Sequence, residues 1–417
     1  MKFLLIPNYR HVFEYRMLDG LATALRTEGH EAWVLHRPTW PSTVASIVRE
    51  QSIDVVFQVN RPRPTGPALE PGTRHVTWFQ DCRSTVCKTA ADRAIDGDLI
   101  YYLAQPQSLT ADVPAFSVPA SHFAPAVDPK LLGNAENAAT AETAHDIVMV
   151  ASMLPPHHQD TSEDTLAAEA QSAEDWFRWW VRKNNAAPYR PAYWRTKFSA
   201  HRTWQLLKAA SVSKAVMESL FEPLTGFCDH AAIAAALAAN PDTAIPGNTW
   251  ATENMRIAYT RLLNRVAAAR CAADISNHVG FYGPGWDSHA EFSAWAHPPV
   301  GNLGQMLRLF RSSKIVLHDN PDGCNFHDRV FYGMASGALI MAVSSPWNDA
   351  PGGFNSCFKD GVHFAAYDRD TLHDVARRWL SDDDARRKIG ETARREVLAN
   401  HTWRHRAQQL LKDLKAG

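Results

Sequence analysis

The chain has 417 residues, a length typical of two or three domains. Hydrophobic residues make up 45% and charged residues 21% of it, which supports sizeable cores and excludes a mainly disordered chain. Lysine plus arginine (43) nearly balances aspartate plus glutamate (44), so the formal charge of −1 excludes a global basic field for nucleic acid or anionic membrane, though not a local basic pocket.

The six cysteines are scattered and form no C-x-x-C pair, which favours reduced thiols over a disulfide framework or a zinc site. The N-terminal apolar run is too short for a signal peptide, and no apolar run reaches the roughly 18 residues of a membrane span. We therefore expect a cytoplasmic protein whose membrane contact, if any, is peripheral.

The first 132 residues alternate short apolar runs with helical patterns. Leu18, Leu21, Ala22 and Leu25 have the spacing of one buried helix face. The runs are continuously apolar, which indicates strands buried on both faces of a parallel sheet. The predicted strands are Phe3–Ile6, Ala32–Leu35, Asp54–Val59, His75–Phe79 and Asp98–Leu103, with a further helix at Val44–Arg49.

A polar stretch at 133–145 predicts an exposed linker. After a strand at Asp146–Ser152, residues 161–273 lack strand signals and predict a helical insertion near the start of a second domain. From Val279 the alternation of strands and helices resumes. The predicted strands are Val279–Tyr282, Lys314–Leu317, Ala338–Val343 and Gly361–Tyr367, and the helices are Leu303–Arg311, His327–Ser336 and three beginning at Thr371, Asp383 and Trp403.

These patterns predict an α/β fold with two Rossmann-like domains, 1–132 and 146–400, that face each other across a cleft. Residues 401–417 are expected to form a helix that packs back toward the first domain. Ligands of such folds bind at the carboxyl ends of the strands, which here means in the cleft between the domains.

Several ligand motifs are absent from the sequence. The closest approach to G-x-G-x-x-G is Gly283–Pro284–Gly285–Trp286, where the third glycine is missing. There is no P-loop and no H-E-x-x-H, the pair His157–His158 lacks matching acidic neighbours, and no G-x-S-x-G elbow occurs. We therefore expect no bound cofactor and no metal site.

The segment 317–343 gives the most specific indication of a ligand site in the sequence. A strand ends near Leu317, and a helix begins around Phe326, where Asn325 can serve as N-cap and Asp328 can close a capping-box-like pair. The free N–H groups of the first turn form an anion site. Because a cation in that turn is unfavourable to the helix dipole, we expect Arg329 to contact a phosphate, with a surface salt bridge as the alternative.

Four segments of the C-terminal half resemble, in order, the CgeB-type glycosyltransferase-like family, which is related to family-4 glycosyltransferases of the GT-B fold. They are 146–155 (DIVMVASMLP), 279–286 (VGFYGPGW), 314–337 (KIVLHDNPDGCNFHDRVFYGMASG) and a tail with FKDGVHFAAYD and HTWRHR. In the N-terminal half, 54–60 (DVVFQVN), 75–81 (HVTWFQD) and 127–129 also fit. Cys324 and Tyr332 stand where the related transferases usually place two donor-contacting glutamates, which leaves the donor and the anomeric outcome open.

The resemblance implies transfer of a sugar from a nucleotide-diphosphate donor to a glycan, lipid or protein acceptor. We expect this transfer to need no metal, because the predicted helix start near Phe326 together with one cation can stabilise the leaving diphosphate. The charge balance argues against a nucleic-acid partner. A nucleotide-sugar epimerase and a non-catalytic glycan-binding or assembly protein of the same fold are the alternatives. Asp81 is the expected general base, with a helix cap or a salt bridge to Arg83 as its alternative role, and His11 is the second candidate. Asn8, Arg10 and Asn60 are expected on the acceptor side. The expected donor-binding residues are Gly283, Gly285, Trp286, Asn320, Asn325, Phe326, His327 and Arg329.

Overall fold

A computed structural model describes residues 1–8, 12–37, 39–80, 84–103, 114–132, 144–153, 264–287, 289–319, 325–368 and 370–416. These residues form two parallel sheets of six strands each, with helices packed against them. The predicted fold class is therefore confirmed as far as the chain being α/β, with two Rossmann-like units. The predicted linker and most of the predicted helical insertion lie outside the described residues.

The first sheet has the order β2-β1-β3-β4-β5-β6, and all its neighbouring strands are parallel. Its strands are β1 (Lys2–Ile6), β2 (Glu31–Val34), β3 (Val55–Val59), β4 (Arg74–Phe79), β5 (Leu99–Tyr102) and β6 (Ala120–His122). The helices are α1 (Val12–Thr27), α2 (Pro41–Gln51) and α3 (Ser84–Arg93). All five residues of β3 are buried, as the continuous apolar run predicts.

The second sheet has the order β12-β11-β10-β7-β8-β9 and is also parallel. Its strands are β7 (His145–Val150), β8 (Val279–Tyr282), β9 (Ala296–His297), β10 (Ser313–His318), β11 (Ile340–Val343) and β12 (Ala365–Tyr367). The helices are α4 (264–275), α5 (Leu303–Arg311), α6 (Asp328–Ala335), α7 (Leu372–Ser381), α8 (Asp383–Asn400) and α9 (Trp403–Ala416).

Every predicted strand, and every predicted helix outside the 161–273 segment, has a counterpart within a few residues. The largest difference is at Gly361–Tyr367, where the strand begins only at Ala365. Gly361 has a φ of +70° and donates to the carbonyl of Phe364 at 2.8 Å, so a turn precedes the strand. Two unpredicted strands, β6 and β9, are too short to leave a periodic pattern, and α3 is unpredicted as well.

The last helix, α9, belongs to the core of the first sheet. Trp403, Ala407, Leu410 and Leu414 are buried together with residues of α1 and of β1 to β5. The chain therefore passes between the two sheets twice: once before the first strand of the second sheet and once after the last helix that packs on that sheet. We call β1–β6 with α1–α3 and α9 the first unit, and β7–β12 with α4–α8 the second unit.

The two crossings run side by side. The Val127 N–H donates to the carbonyl of His401 at 3.0 Å, and the Trp403 N–H donates to the carbonyl of Val127 at 3.2 Å. Val127 and Thr402 thus form an isolated parallel bridge between the units.

Every helix among the described residues is too short or too polar to pass through a bilayer.

Candidate active site

Each sheet has a point where its strand order reverses, and some of the predicted site residues lie near these points. In the second sheet the reversal falls between β7 and β10, and in the first sheet between β1 and β3. Ligands of open α/β sheets bind in the crevice at the carboxyl ends of such strands. The start of α6 and Arg329 follow β10, whereas Asn8 follows β1 and Asn60 follows β3.

The N-cap of α6 is His327, not Asn325. His327 Nδ1 lies 3.2 Å from the backbone nitrogen of Arg329. The expected capping by Asn325 is wrong because this residue has a φ of +69° and its side chain turns into the protein, where Nδ2 donates to the carbonyl of Val343 at 2.8 Å. Asparagine adopts this left-handed conformation more readily than most residues. Asn325 therefore fastens the start of the helix to the end of β11.

Arg329 lies on the carboxyl edge of the second sheet. Its Nη1 donates to the carbonyl of Val150, the last residue of β7, and its Nη2 is 3.2 Å from His327 Nε2. The guanidinium is thus held between the end of a central strand and the first turn of α6. This is where a cation can assist the helix N-terminus in holding an anion.

Asp328, the first residue of α6, is a buried anion. Its Oδ2 is 2.5 Å from Nη2 of Arg16 on α1, and its Oδ1 is 2.7 Å from His327 Nδ1. Burial alone would raise the pKa of Asp328, but the His327 hydrogen bond and the charges of His327, Arg16 and Arg329 outweigh it and hold that pKa well below its usual range. The sequence offers no signal for the Arg16 contact, because its partner is 312 residues away.

His318 and Asp319 follow one another at the end of β10, and both are buried. Burial first, and then the charges of His327, Arg329 and Arg265, lower the pKa of His318 well below its ordinary value, so its ring is neutral. In the part of the chain that the structure describes, the Nε2 of His318 has no hydrogen-bond partner. Asp319 accepts from Arg265 Nε at 2.7 Å, which fastens α4 to this strand end.

The two glycines predicted to approach the donor lie close to the backbone of the chain itself. Gly283 and Gly285 have φ of +148° and +91°, and a Cβ on either would overlap a carbonyl oxygen, that of Ala151 or Met153. Only glycine fits both the backbone angle and the space. These residues therefore bring the end of β8 against the chain that leaves β7.

Trp286 and Phe326, two predicted donor contacts, are buried in this structure. Trp286 has no exposed surface; it stacks on Phe281 with ring centroids 4.7 Å apart and donates to the carbonyl of Ala151 at 2.8 Å. Phe326 is 1% exposed, and its ring centroid is 4.2 Å from that of His122 on β6. The side chain of Trp286 thus belongs to the core of the second unit and that of Phe326 packs between the units, whereas their contact with the donor stays a prediction.

The two acceptor-side asparagines described here fix loops at the carboxyl edge of the first sheet. The N–H of Asn8 donates to Glu14 Oε2 at 2.6 Å, and its Oδ1 accepts from Arg61 at 2.9 Å. Asn60 has a φ of +50°, and its Oδ1 accepts from the N–H of Gln80 at 2.7 Å. The remaining predicted residues, Arg10, His11, Asp81 and Asn320, lie outside the described residues.

No group of three or more histidine, cysteine or acidic side chains suited to a metal ion occurs within the described parts of the chain.

Residues 260–412 match a family model described as "Glycosyl transferase-like". A search of curated proteins gives no significant match. Similar solved structures include a glycosyltransferase from Rickettsia africae ESF-5 (TM-score 0.49, 11% identity), which covers 100% of this chain and 98% of that one. Sucrose-phosphate synthase from Thermosynechococcus elongatus (TM-score 0.49, 11% identity) covers 100% and 99%, and HepE from Anabaena with UDP and glucose (TM-score 0.46, 13% identity) covers 100% of both chains. The region from α4 to α9, including the start of α6, is thus similar to glycosyl transferases.

Proposed function

We propose that this chain is a glycosyltransferase that moves a sugar from a nucleotide-diphosphate donor to a glycan, lipid or protein acceptor without a divalent metal. One observation carries the proposal: the family match at 260–412 includes the first turn of α6, which begins at the strand-order reversal of a parallel sheet. This combination supports a diphosphate site in the second unit.

Glycosyl transfer from such a donor requires that the leaving diphosphate be stabilised. As the acceptor oxygen attacks the anomeric carbon, the bond from that carbon to the diphosphate oxygen breaks, and the diphosphate leaves with the bonding electrons. The N–H groups at the start of α6 and the guanidinium of Arg329 would stabilise the developing charge. Asp81, with His11 as the second candidate, would take the acceptor proton from the side of the first unit.

The first experiment measures thermal stabilisation by UDP-, GDP- and dTDP-sugars in EDTA. A ligand at about 100 times its Kd adds ~2.7 kcal/mol to the free energy of unfolding, which is readily detected. We expect one nucleotide series to bind without metal. Binding that appears only after manganese is added would contradict the metal-free scheme.

The second experiment follows the labelled sugar of the donor that binds. Its appearance on an added glycan, lipid or protein acceptor supports transfer. Conversion of the free donor without any acceptor would identify an epimerase, and glycan binding without nucleotide affinity would identify a binding protein; either result would overturn the proposal.

A further inference from the structure

The first turn of α6 carries an anion of its own. Asp328 is the first helical residue, and its side chain is 6% exposed. A diphosphate at this turn would therefore meet a carboxylate as well as backbone N–H groups, and two like charges in one site disfavour each other. Donor binding here requires something that offsets the charge of Asp328.

Arg16 supplies the opposite charge, and it comes from the other unit. It lies on α1 of the first unit, and its Nη2 is 2.5 Å from Asp328 Oδ2. Its guanidinium carbon is 5.2 Å from the ring centroid of Tyr332, on the next turn of α6, and 5.9 Å from that of Phe13 on its own helix. Both rings are thus within the distance at which an aromatic ring attracts a cation, which favours this position of the guanidinium.

Two buried nitrogen atoms near this pair have no hydrogen-bond partner among the residues that the structure describes. They are Nε of Arg16 and Nε2 of His318. His318 is 6% exposed, and its ring centroid is 5.8 Å from that of the N-cap residue His327. Buried polar atoms in native proteins are normally paired, so two unpaired atoms beside one helix start indicate a place for a ligand with oxygen acceptors.

We propose that Arg16 completes the donor diphosphate site from the first unit, by offsetting the charge of Asp328 and offering its free Nε to the ligand. The inference rests on the proposed function and goes beyond it in one respect: the donor site belongs to both units. A donor would then bind tightly only while α1 and the start of α6 are held together. Arg16 acts here as a positioning residue for the diphosphate.

The test is a double-mutant cycle on binding, with UDP, GDP, dTDP and inorganic pyrophosphate as probes for calorimetry in EDTA. Arg16→Gln removes the first unit's positive charge from the side chain of Asp328, and we expect Kd to rise at least tenfold. Asp328→Asn removes the repelling charge, so affinity is kept or improved. In the double variant, Arg16→Gln with Asp328→Asn, we expect most of the lost affinity to return.

A purely structural ion pair gives a different pattern. Either single variant would then weaken binding to the same degree, and the double variant would not recover; that result would overturn the inference. Arg404→Gln is the matched control, because Arg404 pairs with Glu28 just beyond α1 at 2.8 Å, on the exposed surface away from the site. Arg16→Lys, which keeps the charge, covers the case in which Arg16→Gln does not fold.

Failure of the proposed function is separable from failure of this inference. If wild-type protein binds none of the four probes, the donor proposal and the inference both fall. If wild-type protein binds a probe and Arg16→Gln binds it equally well, only the inference falls.

Discussion

The indole of Trp403 lies directly against Gly20, so that a Cβ placed on Gly20 would overlap the ring. Gly20 is in the middle of α1, and Trp403 is the first residue of α9. Trp403 is 3% exposed, and its Nε1 has no hydrogen-bond partner in the described ranges of the chain, which indicates that packing holds the ring here. The missing side chain of Gly20 therefore sets how closely α9 approaches the first unit.

Gly20→Ala should destabilise the protein, although alanine favours a helix by about 1 kcal/mol over glycine. Forcing a methyl group into a packed core typically costs ~1–3 kcal/mol, and we expect a net fall in the free energy of unfolding measured with urea. Thr23→Ala, on an exposed position of the same helix, is the control and should change stability by less than ~0.5 kcal/mol. A Gly20→Ala variant as stable as wild type would mean that the ring can shift freely.

Arg329→Ala should weaken binding of the preferred nucleoside diphosphate roughly ten- to a hundredfold, because a charge-assisted hydrogen bond is worth ~1.5–3 kcal/mol. Arg329 also donates to Val150, so some loss of thermal stability without ligand is expected as well. Calorimetry on the folded variant is the deciding measurement. Arg308→Ala, an exposed arginine on α5, is the control. Unchanged affinity in a destabilised variant would reduce Arg329 to a structural tie between α6 and β7.

Asp81→Asn should leave donor affinity intact and lower the transfer rate by at least ~100-fold, because it keeps the shape of the side chain and removes its basicity. Transfer of labelled sugar under saturating donor measures the rate. Asp96→Asn, an exposed acid of the same unit, should have full activity. Full activity of a folded Asp81→Asn protein would remove this residue from the mechanism and direct attention to His11.

His75 should make stability depend on pH. Burial, followed by the charge of Arg63, lowers the pKa of His75 to about 3 from its ordinary value of 6.5. Between these values the unfolded chain binds a proton that the folded protein does not, so the free energy of unfolding falls as the pH falls. The loss is up to ~1.4 kcal/mol per pH unit.

The comparison is made by urea unfolding between pH 6 and pH 4. His75→Gln removes this titrating group. We therefore expect the free energy of unfolding of the variant to fall less steeply with falling pH than that of wild type, by up to ~1.4 kcal/mol per pH unit. His36→Gln removes an exposed imidazole from the same unit and should leave the slope as in wild type. If the free energy of unfolding depends on pH equally in His75→Gln and in wild type, the prediction is refuted.

The local sequence pattern predicts much of the fold because strands that are buried on both faces appear in the sequence as continuous apolar runs. The run DVVFQVN predicts β3, and every residue of that strand is buried. The same pattern places Asn8 and Asn60 after strand ends and Arg329 in the first turn of a helix. What local pattern cannot supply is the side-chain environment.

The site shows this limit in particular residues. Trp286 has the sequence context of a ligand-facing ring, but β8 and the chain beyond β7 enclose it. Asparagine is a common N-cap residue, but the left-handed backbone of Asn325 turns its side chain inward, and His327 is the N-cap of α6. Arg16 meets Asp328 only because the two units pack together, and no periodicity in the sequence encodes that contact.

The pairing of Val127 with Thr402 makes the second unit a nested insertion in the first. A single connection would allow the second unit to swivel about it, whereas two adjacent backbone strands restrict relative movement to bending at one place. The same adjacency means that joining Ala126 directly to Trp403 would excise the second unit and leave β1–β6 continuous with the helix that completes their core. The first unit can therefore be tested as a separate folding unit through one deletion.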